Sequence, residues 1–157
     1  MSGVDYGAPI YREKLIWPIW LWLFLLAMTG SLSLAVWAAT DTTLTVAISL
    51  LQLIALIALE RSSALTITVT KGWFIVGKAA IPRAHIYNFH SLDAATMKRA
   101  RGVDGDPAAF LGIRFWVSTG IKMDQRDPKD PTPYWLISTK RPEELKKALY
   151  VQSASEH

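Results

Sequence analysis

The chain of 157 residues contains no cysteine and only three histidines. That absence excludes a disulfide scaffold, a thiolate metal centre and a cysteine nucleophile. Charge is missing from one block: residues 15 to 59 hold a single Asp, Glu, Lys or Arg, namely Asp41. The other 29 charged residues fall in the remaining 112 positions, an ordinary density for a water-soluble chain. The 19% average therefore mixes an apolar part and a polar part, which excludes a uniform soluble globule, a fully disordered chain and a collagen-like repeat. There is also no Walker loop, no GxGxxG and no Ser/His/Asp arrangement, which disfavours an enzyme and calls for no cofactor.

What is present begins with two apolar runs. Residues 15 to 39 carry no charge. As a helix they would extend about 38 Å, against a hydrocarbon core of roughly 30 Å. Pro18 suits a first helical turn and trims the run from its start. Residues 43 to 59 form a second, shorter run, apolar all round from Leu44 to Leu59. A helix without a polar face needs lipid or protein on every side, so a buried helix of a soluble domain is the alternative for this run. A cleaved signal peptide fits the first run poorly, because the run is too long and Trp37 would stand two residues before Ala39.

The expected organisation is a tail over residues 1 to 14, spans at 15 to 39 and 43 to 59 joined by a turn at 40 to 42, an α+β domain at 61 to 150, and a second tail at 151 to 157. Arg12 and Lys14 precede the first span, the turn carries no basic residue, and the other 15 Lys and Arg follow the second span. Both ends are therefore expected in the cytoplasm of a protein in the cell membrane. Tyr11, Trp17, Trp20 and Trp22 at one end of the first run and Trp37 at the other read as interfacial anchors. Ala27, Ser31, Ala35 and Ala39 recur every four residues, a small-residue stripe expected to face the second helix. Counting back from the turn predicts a hydrogen bond between Gln52 and Ser31.

After residue 60 the period changes to two. Leu65, Ile67 and Val69 alternate with threonines, which predicts a half-buried strand. Further strands are expected at 73 to 76, 79 to 81, 84 to 92, 110 to 117, 120 to 125 and 134 to 139. Asp93 predicts the cap of a short helix at 94 to 101, and Pro142 opens a last helix with Glu143 and Glu144 in its first turn. The fold class that follows is a membrane helical hairpin followed by a mostly antiparallel sheet domain with a C-terminal helix.

The segment DPKDPTPYWLISTKRPEELKKAL at 127 to 149, with IRFWV at 113 to 117 and YREKLIWPIW at 11 to 20, resembles a family of small actinobacterial membrane proteins known only as a domain of unknown function. The resemblance implies a cell-membrane location and brings no catalytic residue with it. The early strand hairpin, IPRAHI at 81 to 86 and the closing helix are also similar to bacterial pleckstrin-homology-like domains. The helix at 94 to 101 and the proline-rich connection depart from that pattern.

Candidate sites are few. His85 and His90 stand five apart, which in one strand places them on opposite faces and argues against a metal pair with Asp93. Asp124, Asp127 and Asp130 lack the spacing, glycine and bidentate glutamate of a calcium loop. Asp127, Asp130 and Thr132 are expected to brace a rigid loop through bonds to nearby N–H groups. Tyr134 and Trp135 should point to opposite faces of their strand, one buried and one at the rim, where core packing is the favoured reading and a recognition patch beside Arg114 and Trp116 the alternative. The domain carries 15 basic against 9 acidic residues after position 60, and at an anionic leaflet that excess favours lipid headgroups. No nucleic-acid motif accompanies it. The leading expectation is a membrane-anchored interaction or accessory module with a protein partner. The alternatives are a membrane-bound enzyme on a lipid or isoprenoid substrate using Asp127 or Asp130, and an anionic-lipid-sensing regulator.

Overall fold

The computed structural model describes residues 6–102, 104–126 and 130–150. It divides into two compact units, Ile16–Ala64 on the one hand, and Met1–Leu15 with Leu65–His157 on the other. The first unit is an antiparallel pair of helices, α1 (Ile19–Ala39) and α2 (Thr42–Ser63). Both are long and apolar enough to cross a membrane. Pro18 stands just outside α1 in extended geometry. Asp41 starts α2 by accepting the Leu44 N–H at 3.0 Å. The second helix spans 22 residues rather than the 17 of the apolar run, because Thr42 begins it and Glu60, Arg61, Ser62 and Ser63 continue it until Ala64 turns extended.

The seam of this hairpin differs from the expected one. Ser49 donates to Ser33 at 2.9 Å, and Ser33 donates to the Gln52 side-chain oxygen at 3.0 Å. Ser31 instead donates to Ala27 O of its own helix at 2.9 Å. Two residues along a helix is a rotation of about 200°, so a seam through Ser33 turns Ser31 away. Ala27, Ser31, Ala35 and Ala39 are all exposed, which overturns the small-residue stripe as the contact between these helices.

In the second unit, strands β1 (Pro9–Leu15), β2 (Leu65–Thr70), β3 (Trp73–Val76) and β4 (Ala79–Pro82) form one antiparallel meander in sequence order. Residues 9 to 14, expected in a tail, and Leu15, expected in the first span, are thus a strand of the domain. The reason is visible in the alternation: Tyr11, Glu13 and Leu15 share one face, and Glu13 and Leu15 are buried. Register pairs Leu15 with Leu65, so the whole helical unit is connected between two hydrogen-bonded neighbours. Gly77, at φ +63, makes the two-residue turn between Val76 and its partner Ala79 possible.

A short 3₁₀ turn (Arg83–His85) leads to β5 (Ile86–Leu92), α3 (Ala94–Arg101), β6 (Phe110–Gly112), β7 (Gly120–Gln125), β8 (Tyr134–Ser138) and α4 (Pro142–Tyr150). The second sheet runs β5-β7-β8-β6, antiparallel except for the parallel pair β6 and β8. The expected strand at 110 to 117 stops at Gly112. Beyond it the chain turns, with the Val117 N–H on Arg114 O at 3.0 Å.

The inner faces of both sheets share a core with α4. Leu15, Ile67, Phe74 and Val76 come from the first sheet, Ile121, Met123 and Ile137 from the second, and Leu145 and Leu149 from α4. Burying an aliphatic or aromatic side chain of this kind stabilises by about 1.5 to 3 kcal/mol. A second cluster, Leu92, Met97, Tyr134 and Leu136, forms where α3 covers the outer face of the second sheet. Gly120 permits that cover: a Cβ there would lie 2.5 Å from Ile137 O and 2.8 Å from Met97 Sδ.

Candidate functional site

The aromatic rim patch, the less favoured alternative, does not form. Tyr134 and Trp135 do take opposite faces of β8, yet both are buried, 8% and 5% exposed. Trp135 packs in the inner core with its ring centroid 4.2 Å from Phe110 and 6.2 Å from Phe74. Tyr134 lies beneath α3's cluster, accepts the Asp106 N–H at 2.8 Å, and carries the Lys122 ammonium 4.0 Å above its ring. Trp116 is half-buried against the core. Arg114 donates to Ile113 O at 2.7 Å, and burial lowers its guanidinium pKa. Asp130 bonds the Thr132 N–H at 2.9 Å and the Thr132 hydroxyl at 2.6 Å, an Asx-type brace. The Thr132 hydroxyl bond is the largest cause holding the Asp130 carboxyl below its ordinary pKa. Asp127 lies outside the described residues. Among the described residues no group of three His, Asp or Glu could hold a metal ion.

Two polar anchors absent from the expectations above fix α4. Glu13, only 5% exposed, accepts from the Lys140 N–H at 2.9 Å, from the Tyr11 hydroxyl at 2.9 Å, and from the Thr139 hydroxyl. Burial, then the bond to Glu13 and its charge, push the Tyr11 phenol up to about 12. At the other end Arg83 donates to Ala148 O and Leu149 O, two carbonyls in the last turn of α4, and to Thr70 O at the β2–β3 turn. Free carbonyls and the negative end of the helix dipole both favour a cation there. The Tyr-x-Glu-x-Leu alternation before the first apolar run is the signal that could have placed Glu13 in a strand.

Of the expected anchors, Trp20 and Trp37 are 54% and 57% exposed on α1. Trp17 is buried and donates from Nε1 to Ser63 at 2.7 Å, closing the base of the hairpin. Tyr11 belongs to β1 rather than to the helical unit.

An open cleft of about 460 Å³ lies along α3, lined by Ala94, Lys98, Arg101, Gly102, Phe115 and Ser118. Helical spacing puts Ala94, Lys98 and Arg101 on one face. Arg101 is fixed from below, its Nη2 donating to Val117 O and to the Ser138 hydroxyl. Phe115 stands 67% exposed at the lip, its ring edge against Trp116. Sequence alone pointed to Arg114 and Trp116 in this loop and missed Phe115 between them. The turn after Gly112 ends the strand alternation that would have put Phe115 opposite them.

The family model for DUF3093, described as a protein of unknown function, matches residues 10–149. The chain belongs to the DUF3093 family. The matched span runs from β1 to α4, so the DUF3093 unit contains the helical hairpin as well as both sheets. No curated protein and no solved structure matches the chain.

Proposed function

We propose that this DUF3093 protein is a two-span protein of the cell membrane that holds its sheet domain on the cytoplasmic face as an interaction or accessory module. The observation that carries the reading is the register pair Leu15 and Leu65, with α1 and α2 connected between them. A hairpin inserted between paired strands leaves and re-enters one domain, so both of its ends belong on one side of a bilayer. The basic residues choose the side: Arg12 and Lys14 before the first apolar run and Arg61 after the second, with none in the turn. Exposed Trp20 and Trp37 near the two ends of α1 suit two headgroup layers. A pleckstrin-homology-like fold is supported by the four-stranded meander and the closing helix, while α3 and the parallel pair β6 and β8 depart from it.

Chemical crosslinking in the native membrane, followed by purification of the full-length chain, tests the module reading. A stoichiometric protein partner is expected. Recovery of the chain with lipid alone, together with loss of its cellular role in Asp130→Asn at unchanged stability, would favour the enzyme reading instead.

A further inference from the structure

The α3 cleft combines two cations, a hydroxyl and an aromatic lip with no acid of its own. Arg101 has spent Nη2 on the protein, whereas its Nε is buried with no hydrogen-bond partner among the described residues. Lys98 has no carboxylate partner among the described residues, and the Ser118 hydroxyl stands exposed at the same cleft. The neighbouring acids are occupied: Asp93 accepts the Thr96 N–H at 2.8 Å at the start of α3, and Asp104 pairs with Arg99 at 3.4 Å. Two cations one helical turn apart, beside a hydroxyl, form a set of donors with unmet demand for anionic oxygen. The C-terminal dipole of α3 opposes an anion here. That opposition is weak for a helix of eight residues and is offset by two full charges.

Phe115 narrows the ligand further. A site for a free inorganic anion has no use for a large apolar side chain held two-thirds in solvent, whereas an amphiphile presents an acyl or glyceryl segment directly beside its phosphate. The cleft volume falls within the range of roughly 300 to 1,000 Å³ usual for small-molecule sites.

We propose that the cleft between α3 and the 113–118 turn binds the phosphate of an anionic phospholipid, with Lys98, Arg101 and Ser118 on the phosphate oxygens and Phe115 against the adjoining apolar segment. The proposal deepens the membrane-module reading and rests on it for access to lipid, but the binding chemistry is measurable whichever way the chain is oriented.

Calorimetric titration of the full-length protein in zwitterionic nanodiscs, with dihexanoyl phosphatidylglycerol or with inorganic phosphate, tests it. The lipid analogue is expected to bind saturably, about five- to tenfold more weakly in Lys98→Gln and in Phe115→Ser, and unchanged in Lys146→Gln on α4. Both altered side chains are exposed, so the fold survives their loss. Inorganic phosphate is expected to lose affinity in Lys98→Gln and to be indifferent to Phe115→Ser. Equal affinity for phosphate and lipid analogue, with no effect of Phe115→Ser on either, would overturn the lipid assignment in favour of a free phosphate site. No saturable binding of either probe, or equal binding in Lys98→Gln, would overturn the site itself. A failed titration beside correct membrane topology separates this proposal from the reading beneath it.

Discussion

The buried Glu13 carboxylate accepts the Lys140 backbone N–H at 2.9 Å across 127 positions of sequence. One end of that bond precedes the helical hairpin and the other lies two residues before α4, so the domain is closed by residues from both sides of the apolar insertion. Replacing Glu13 by Ala leaves the Lys140 N–H and the hydroxyls of Tyr11 and Thr139 without this acceptor. The expected loss is about 2 to 3 kcal/mol, with a smaller loss for Glu13→Gln, read from denaturant unfolding in detergent. A loss under about 0.5 kcal/mol would show that the bracket contributes nothing.

The Tyr11 phenol has a characteristic alkaline signature. Its folded pKa, raised to about 12, exceeds the ordinary value near 10, so its contribution to stability is complete below pH 10 and disappears as pH rises towards 12. Tyr11→Phe should flatten the stability profile in that window. An unchanged profile, or a phenolate near pH 10 in the difference between the native titrations of the parent protein and Tyr11→Phe, would contradict it.

Gly120 should be intolerant of any side chain. Gly120→Ala places Cβ 2.5 Å from Ile137 O, which calls for backbone movement and a cost of about 3 kcal/mol. Gly72, where an added Cβ would meet nothing within 4 Å, is the control, expected to change by less than about 0.5 kcal/mol. Thermal unfolding of both variants decides it.

Within the hairpin, Gln52→Leu and Ser33→Ala should each lower stability by about 0.6 to 2 kcal/mol and be non-additive, because they break one network. Ser31→Ala should be silent, since its hydroxyl only returns to Ala27 O. Equal effects at positions 31 and 33 in detergent melts would contradict this seam.

Joining Leu15 directly to Leu65 through an Asn-Gly turn should yield a folded, water-soluble domain. These two residues are a register pair, and a two-residue loop of that type closes antiparallel neighbours. The fragment 65–150, deprived of β1 and Glu13, should fail to fold. Native-like amide dispersion from the fragment alone would show that β1 is dispensable.

Much of this architecture was legible because local chemistry and global fold agree. Thr66, Thr68 and Thr70 alternate with apolar residues in β2, Asp93 caps α3, and Pro142 opens α4. The first strand was not legible, because Arg12 and Lys14 look like the charged flank of a span while Glu13 between them is buried. Burial of both Tyr134 and Trp135 was equally hidden. A two-residue period shows that they take opposite faces, but only tertiary packing supplies α3 as the cover for the second face. The Gln52 partner was misplaced by two residues because helix rotation, not level along the axis, selects the side chains that meet.

Single cysteines in a chain that has none provide the most direct test of the central claim, that the helical insertion crosses the membrane and returns to one cytoplasmic domain. The measurement is labelling of Thr42→Cys and Lys78→Cys by an impermeant thiol reagent in intact cells and again after permeabilisation. Position 42 should react in intact cells and position 78 only after permeabilisation. Reaction at 78 in intact cells, or protection of 42 alone until permeabilisation, would contradict the account.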